Sequence, residues 1–288
     1  MTDALVIDKR GLRRSFEKAA AGYDAAAVLQ HEVCRRMVSR LDYIKYEPQV
    51  VLDAGCGTGN ALAGLRARYP RAIYYALDIA LAMLQRARAQ PPGWRGWFAP
   101  RVHALCADIE QLPLKNAGVG LVWSNLALQW VQDPQRAFAE FRRVLAPNGL
   151  LMFSTFGPDT LKELRAAYEG TDSYPHVHSF IDMHDLGDML VRSGFADPVM
   201  DAEYLTLTYA DVVSLMRDLK AIGAHNMAVG RRRGMTARTV LRAVEAGYER
   251  WRSDERLPAT FEVIYGHAWV PAVSPRAPDE QVVQWHKR

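Results

Sequence analysis

The chain has little cysteine, no apolar run of about twenty residues, and a formal net charge of only +4. Three cysteines, Cys34, Cys56 and Cys106, are odd in number and widely spaced, which argues against a disulfide framework and a zinc knuckle. Without a long apolar run there is no candidate for a membrane-crossing helix, and residues 1–10 lack the charged-then-apolar order of a secretory leader. The expected compartment is therefore the cytoplasm. No internal repeat or low-complexity segment is present. What remains is 288 residues, 49% of them hydrophobic, enough for one substantial core.

Two glycine signatures are missing as well. Residues 50–60, Val-Val-Leu-Asp-Ala-Gly-Cys-Gly-Thr-Gly-Asn, run from an apolar strand into alternating glycines. They lack the later third glycine of the dinucleotide fingerprint and the Gly-Lys-Ser/Thr of a phosphate-binding loop. A chain that turns sharply against a ligand still needs residues without Cβ, and a following helix points free N–H groups at that place. Asp53 adds negative charge before the glycines, which suits a cationic amino-acid group better than a polyphosphate. Taken alone, the pattern also fits a tight structural turn.

The order of elements narrows the choice. Strand-like runs at 50–54, 73–78, 102–108, 121–126 and 150–156 are mostly separated by helical spacings such as Leu62/Leu65/Tyr69 and Phe138/Phe141/Leu145. That alternation predicts a parallel sheet with crossover helices. The second run ends at Asp78, about twenty residues past the glycines, where an acidic side chain can take both hydroxyls of a ribose. The third ends at Ala107-Asp108-Ile109 and the fourth at Ser124-Asn125-Leu126. All these polar termini fall at carboxyl ends of strands, where open α/β sheets bind ligands. Each by itself would serve equally as a helix cap or turn residue.

Over about residues 45–156 this series of stations resembles the class I S-adenosylmethionine-dependent methyltransferases. The resemblance implies an α/β, Rossmann-like, doubly wound and mostly parallel seven-stranded sheet. It implies that Asp53, Ala54, Gly55 and Gly57 lie beside the methionine part of the cofactor and that Asp78 takes the ribose hydroxyls. Ile79 and Met83 would pack on the adenine, Asp108 and Ile109 would hold its edge, and Asn125 and Leu126 would line the methyl-transfer mouth. The turn Ala146-Pro147-Asn148-Gly149, before an apolar strand, fits the same plan.

Beyond that core, residues 13–24 and 28–41 read as helices before the first strand. A preface of this length can fold over the mouth as a lid, with Phe16 and Tyr23 facing the cofactor or substrate, although ordinary packing is the other reading. Helical patterns follow at 159–168 and 184–193, and a sixth strand is predicted at 198–207. A helical block at 209–251 precedes a last strand at 260–270. Because the last two strands of this fold pair with each other, the block reads as an inserted cap. The expected organisation is a lid over 1–44, a core over 45–207, a cap over 208–258, a strand over 259–270 and a loose tail over 271–288.

Arg231, Arg232 and Arg233, with Lys220 nearby, form a basic cluster on the cap, suited to an acidic partner or to a solvated helix face with neighbouring acids. Residues 123–130, Trp-Ser-Asn-Leu-Ala-Leu-Gln-Trp, differ from the Asn/Asp-Pro-Pro-Tyr/Phe motif that grips a planar amino group, which disfavours a nucleic-acid substrate. That segment, together with residues 154–161, 180–188 and 265–269 and the Phe16…Tyr23-Asp24 preface, resembles the malonyl-acyl-carrier-protein O-methyltransferase family of biotin synthesis over nearly the whole chain. The resemblance implies S-adenosylmethionine as cofactor and an acidic carrier protein as partner, docked on the arginines. It implies methyl transfer to a free carboxylate by proximity and desolvation, with Tyr23, Asn125, Leu126 and Trp130 lining the mouth. No catalytic base is expected, because a carboxylate with a pKa near ~4 is already ionised. Two alternatives stay open here: a small-molecule methyltransferase of the quinone-pathway type, and a methyltransferase-like assembly factor or protein-arginine hydroxylase. His176, His178, Asp182 and His184 could ligate a metal, but their spacing has no specific third ligand, and polar residues near a substrate channel are the preferred reading.

Overall fold

The structure is a computed structural model and describes residues 7–90, 102–172, 174–224 and 237–272. Seven strands, β1 Val50–Ala54, β2 Ile73–Asp78, β3 Val102–Cys106, β4 Val119–Asn125, β5 Leu145–Phe156, β6 Ala196–Tyr209 and β7 Leu257–Trp269, form one sheet in the order β3-β2-β1-β4-β5-β7-β6. The first five run parallel, and β7 lies antiparallel between β5 and β6. The strand order reverses between β1 and β4, and that crevice is where an open sheet of this kind leaves room for a ligand. Among the described residues no helix is long and apolar enough to cross a membrane.

Strand alternation sends side chains to two faces, each covered by helices. Val51, Tyr74, Leu121, Trp123 and Met152 pack with α3 (Val28–Arg40), α4 (Asn60–Arg68) and α10 (Arg238–Tyr248). Leu52, Leu77, Val122, Leu151 and Phe153 pack on the other face with α6 (Pro134–Val144) and α8 (Met183–Arg192). The helix starts are chemically marked. Asp133 accepts from Arg136 N at 3.1 Å with Pro134 in the first turn of α6, and Asp182 accepts from His184 N at 2.8 Å at the start of α8. Opposite Phe153, β7 carries Gly266, where a Cβ would fall 2.3 Å from the Phe153 ring.

The lid expected over residues 1–44 divides in two. Helix α3 is a core helix, since Leu29, Val33, Cys34 and Met37 are all buried beneath it. Helices α1 (Lys9–Ala19) and α2 (Tyr23–Ala26) lie at the mouth of the crevice, which α3 reaches through Gln30 at its N-terminal end. The α1 helix starts four residues before the predicted 13, because Asp8 caps it by accepting from Gly11 N at 2.8 Å. Strand β5 starts at Leu145 instead of 150. The expected turn survives inside it as Asn148 in the left-handed region, φ 59°, with its N–H bonded to Val270 O. Strand β6 runs to Tyr209 and β7 starts at Leu257, so the inserted segment with α9 (Val212–Ala221) and α10 lies between those residues. The tail from 273 onward lies outside the described residues.

Candidate active site

Gly55, Gly57 and Gly59 all adopt left-handed φ values, 79°, 53° and 87°, between β1 and α4. The N–H groups of Gly55 and Cys56 donate to Leu77 O at 2.8 and 2.9 Å, folding the loop against the end of β2. A Cβ on Gly55 would sit 2.3 Å from Ala127 Cβ, whereas one on Gly57 would enter space with nothing within 4 Å. The open side of the loop therefore faces a void that a side chain would fill.

Asp78, at the end of β2, clasps this loop. Its Oδ2 accepts from Gly57 N at 2.9 Å and its Oδ1 from Ala80 N at 2.8 Å, ahead of α5 (Leu81–Ala89). Burial raises its pKa to about 6 against the pull of those N–H groups, and the Glu17 carboxylate pushes the same way as burial. Asp53 is buried deeper, with its pKa pushed to about 8 by burial and then by Asp78. Its Oδ2 has no hydrogen-bond partner.

Three cavities meet here. The first, about 100 Å³, gathers Phe16, Tyr23, Gly55, Gly57, Asp78, Ile79, Met83, Asp108, Ile109, Asn125, Leu126 and Trp130. The second, about 40 Å³, is lined by Asp53, Gly55, Gly57, Asn125 and Tyr23 together with His31 and Gln30. The third, about 550 Å³, extends from Trp130, Phe156 and Ile222 to Tyr168, His176 and Tyr209. Three buried polar atoms without hydrogen bonds, Gln30 Oε1, His31 Nε2 and Asp53 Oδ2, belong to residues around the smallest cavity. A carboxylate and an imidazole bordering one small cavity fit the ammonium and carboxylate of an amino-acid group.

The mouth is held by neutral hydrogen bonds. Ser154 Oγ donates to Asn125 Oδ1 at 2.9 Å and accepts from Leu126 N at 3.0 Å, and Asn125 Nδ2 donates to Gln30 O at 3.2 Å. Leu126 takes a left-handed φ of 48°, strain that these bonds offset. Helices α1 and α2 are fastened to the same stations. Lys9 Nζ pairs with Asp108 and Glu110, Glu17 accepts from Leu81 N and Ala82 N at 2.7 and 2.9 Å, and Thr58 Oγ1 donates to Asp24. Burial would lower the Lys9 pKa, but the two carboxylates outweigh it and hold it above the ordinary value. Phe16 meets Trp130 edge-on at 5.7 Å, and Trp130 meets His178 edge-on at 5.4 Å.

Some nominated residues stand elsewhere. The Ala54 methyl is in the core and its carbonyl accepts from Ser124 Oγ at 2.9 Å, because strand alternation turns it away from the crevice. Lys220 is exposed at the end of α9 and lines none of the three cavities, while Arg231, Arg232 and Arg233 lie outside the described residues. His176 and His178 do line the largest cavity. His176 Nε2 lies 2.7 Å from Asp172 Oδ1, and its ring stacks on Tyr168 at 3.7 Å. Asp182 and His184 form a helix cap, and no group of three metal-ligating side chains occurs among the described residues. Lys9, Gln30, His31 and Gln129 had no sequence motif to mark them; only the preface helices hinted at the first three.

Residues 52–153 match the methyltransferase domain family. The YcgJ protein from Bacillus subtilis aligns at TM-score 0.57 and 13% identity over 84% of this chain and 99% of its own. The [4+2]-cyclase SpnF aligns at TM-score 0.52 and 20% identity over 84% of this chain and 82% of its own. Those two show the fold alone. With the glycine loop and its acidic stations, the domain match defines the class as an S-adenosylmethionine-dependent methyltransferase. The malonyl-[acyl-carrier protein] O-methyltransferase of Methylovorus sp. is 58% identical over 96% of this chain and 94% of its own, and that of Nitrosospira multiformis is 57% identical over 92% and 90%. The chain belongs to the malonyl-[acyl-carrier protein] O-methyltransferase family.

Gly57→Val should cost the free protein only about 2 kcal/mol, the strain of a branched residue at left-handed φ. Its side chain would enter the void, so calorimetric titration should show S-adenosylhomocysteine bound at least about 100-fold more weakly.

Proposed function

We propose that the protein methylates the free carboxylate of a malonyl thioester on acyl-carrier protein, an early step of biotin synthesis. Family membership supports this, and one structural observation carries it further. The 550 Å³ cavity adjoins the first along Gln30, Trp130, Phe156, Ile222 and Ala224, and no Lys or Arg lines it among the described residues. Such a channel suits an acyl group on a long uncharged arm. Neither alternative, the small-molecule enzyme or the assembly factor, is favoured by the relatives.

In this reading Asp53 and His31 hold the amino-acid end of S-adenosylmethionine, and Asp78 meets the ribose with the lone pairs its two backbone donors leave open. Ile79 and Met83 pack on the adenine beside Ile109. Asp108 serves both the adenine edge and Lys9, so one carboxylate joins cofactor and lid. Phe16 and Tyr23 close over the site. When bound, S-adenosylmethionine supplies a methyl carbon on a sulfonium; its transfer to a carboxylate oxygen forms a C–O bond, breaks a C–S bond, leaves the electron pair on sulfur and moves no proton. The chain needs no base, and the mouth of Asn125, Leu126 and Trp130 is built for alignment and exclusion of water. Alignment alone can supply an effective molarity of ~10⁵ M or more.

Methyl-labelled cofactor should label malonyl-carrier protein and leave free malonate unlabelled; equal labelling of both would remove the carrier protein from the reading. Lys220 and Arg231–Arg233 are assigned to the acidic carrier protein. Replacing the three arginines with glutamate should raise KM for malonyl-carrier protein about tenfold or more and flatten its salt dependence. Turnover of a small malonyl thioester should stay within about twofold. Equal losses on both substrates would assign the arginines to the pocket or the fold.

A further inference from the structure

Helix α1 carries five cations and one carboxylate in eleven residues, a net charge equal to the +4 of the whole chain. Its two faces are unlike. Lys9 turns inward to Asp108 and Glu110, and Leu12 and Phe16 line the first cavity, with Leu12 fully buried. Arg10, Arg13, Arg14 and Lys18 are exposed on the outside. Arg13 has Glu17 3.7 Å away, but among the described residues no carboxylate pairs with Arg10, Arg14 or Lys18. Glu17 itself is drawn to the start of α5, where it accepts from Leu81 N and Ala82 N.

Helix stability does not account for these side chains. Arg10, Arg14 and Lys18 follow one another at a spacing of four, which places like charges side by side along the helix. Arg10 also lies in the first turn, where the helix dipole favours an anion, and that turn holds no acid. A solvated face intersperses the two signs, as α3 does where Glu32 pairs with both Arg35 and Arg36. Uncompensated charge beside a site instead favours a partner of the opposite sign.

The class of that partner follows from what surrounds the charges, given the proposed function. A membrane surface would need apolar side chains free to insert beside the cations, and Leu12 and Phe16 are turned into the cavity. Single-stranded nucleic acid would need exposed aromatic rings for stacking, and the one aromatic residue of α1, Phe16, is engaged edge-on by Trp130. An acidic protein needs neither. Seated on the outer face, it would stand one helix diameter, about 10–12 Å, from the cavity that the inner face lines. That position suits a protein presenting its acyl group on a long arm. Ser15 Oγ donates to Gly223 O at 3.2 Å, which sets α1 against the end of α9, where the exposed Lys220 extends the basic rim. We propose that Arg10, Arg13, Arg14 and Lys18, on the outer face of α1, dock the acidic carrier protein and steer its acyl group to the mouth.

The test uses the full chain, with malonyl-carrier protein and a small malonyl thioester compared over a range of salt concentrations. The double variant Arg10→Glu, Arg14→Glu should raise KM for malonyl-carrier protein about tenfold or more, keep kcat within about twofold and flatten the salt dependence. Arg10→Gln with Arg14→Gln should fall between it and the wild type, because steering scales with charge. On the small thioester both variants should stay within about twofold of the wild type, as should S-adenosylhomocysteine affinity. Melting temperature should hold or rise, since the row of like charges is broken and the first turn gains an anion. An unchanged KM for malonyl-carrier protein, equal losses on both substrates, or a lower melting temperature would each overturn the proposal. An unchanged KM with lost binding to phosphatidylglycerol vesicles would give the face to a membrane instead. A wild type that labels no malonyl-carrier protein would overturn the functional reading beneath the proposal.

Discussion

Asp53→Asn should melt higher than the parent protein at pH 8 without cofactor, and bind S-adenosylmethionine at least about 100-fold more weakly. Both effects come from one carboxylate. Asp53 is buried with an unpartnered oxygen, and its pKa of about 8 means that the folded protein retains a proton the unfolded chain has lost. A raised carboxylate pKa destabilises the fold progressively as pH rises from the ordinary carboxylate range to about 8, by up to about 1.4 kcal/mol per pH unit per proton. Asp78 adds the same sign up to about pH 6. A carboxamide is cheaper to bury, so the variant gains a few degrees at pH 8 and its melting temperature falls less steeply with pH. Cofactor affinity moves the other way, because an ammonium group loses its charged partner. In the parent protein, binding below pH 8 should release a proton from Asp53, visible as a buffer-dependent heat. An unchanged affinity, or a lower melting temperature at pH 8, would remove Asp53 from the amino-acid end of the site.

Deleting residues 1–26 should leave a cooperatively folded protein with kcat/KM reduced at least about 1,000-fold; deleting residues 1–40 should abolish cooperative unfolding altogether. The shorter deletion removes Lys9, Phe16 and Tyr23 from the mouth, opening it to water. The longer one also strips Leu29, Val33, Cys34 and Met37 from the core. At about 1.5–3 kcal/mol for each large apolar side chain, that loss is comparable with the whole stability of a domain. Thermal melts and turnover measured on both deletions separate the lid from the core helix behind it. Full turnover in the shorter deletion would show that α1 and α2 merely pack.

The physics that made parts of this protein legible is local. Strand β1 ends at Ala54 and β2 at Asp78, as the apolar runs predict, because a strand stops where a glycine turn or an acidic cap takes over the backbone hydrogen bonds. Asp78, Asp108 and Asn125 could be nominated for a related reason: a parallel sheet brings the carboxyl ends of its strands to one edge. Ala54 shows the limit of that reasoning. It sits between two site positions in sequence, yet the strand period turns its methyl into the core.

Sequence alone therefore determined the alternation of strands and helices, the glycine loop and the acidic stations, since each depends on neighbours within a few residues or on the sheet's own regularity. Tertiary structure decided everything that needs two distant segments to meet. Helix α3 reads as part of a preface, and only its packing beneath the sheet makes it core. Lys9 has meaning only once Asp108 and Glu110 face it across the mouth. Gln30 is an ordinary polar residue on a helix until folding sets it between three cavities, with no partner for its buried oxygen. A cavity is bounded by residues far apart in the chain, and no local propensity encodes the space between them.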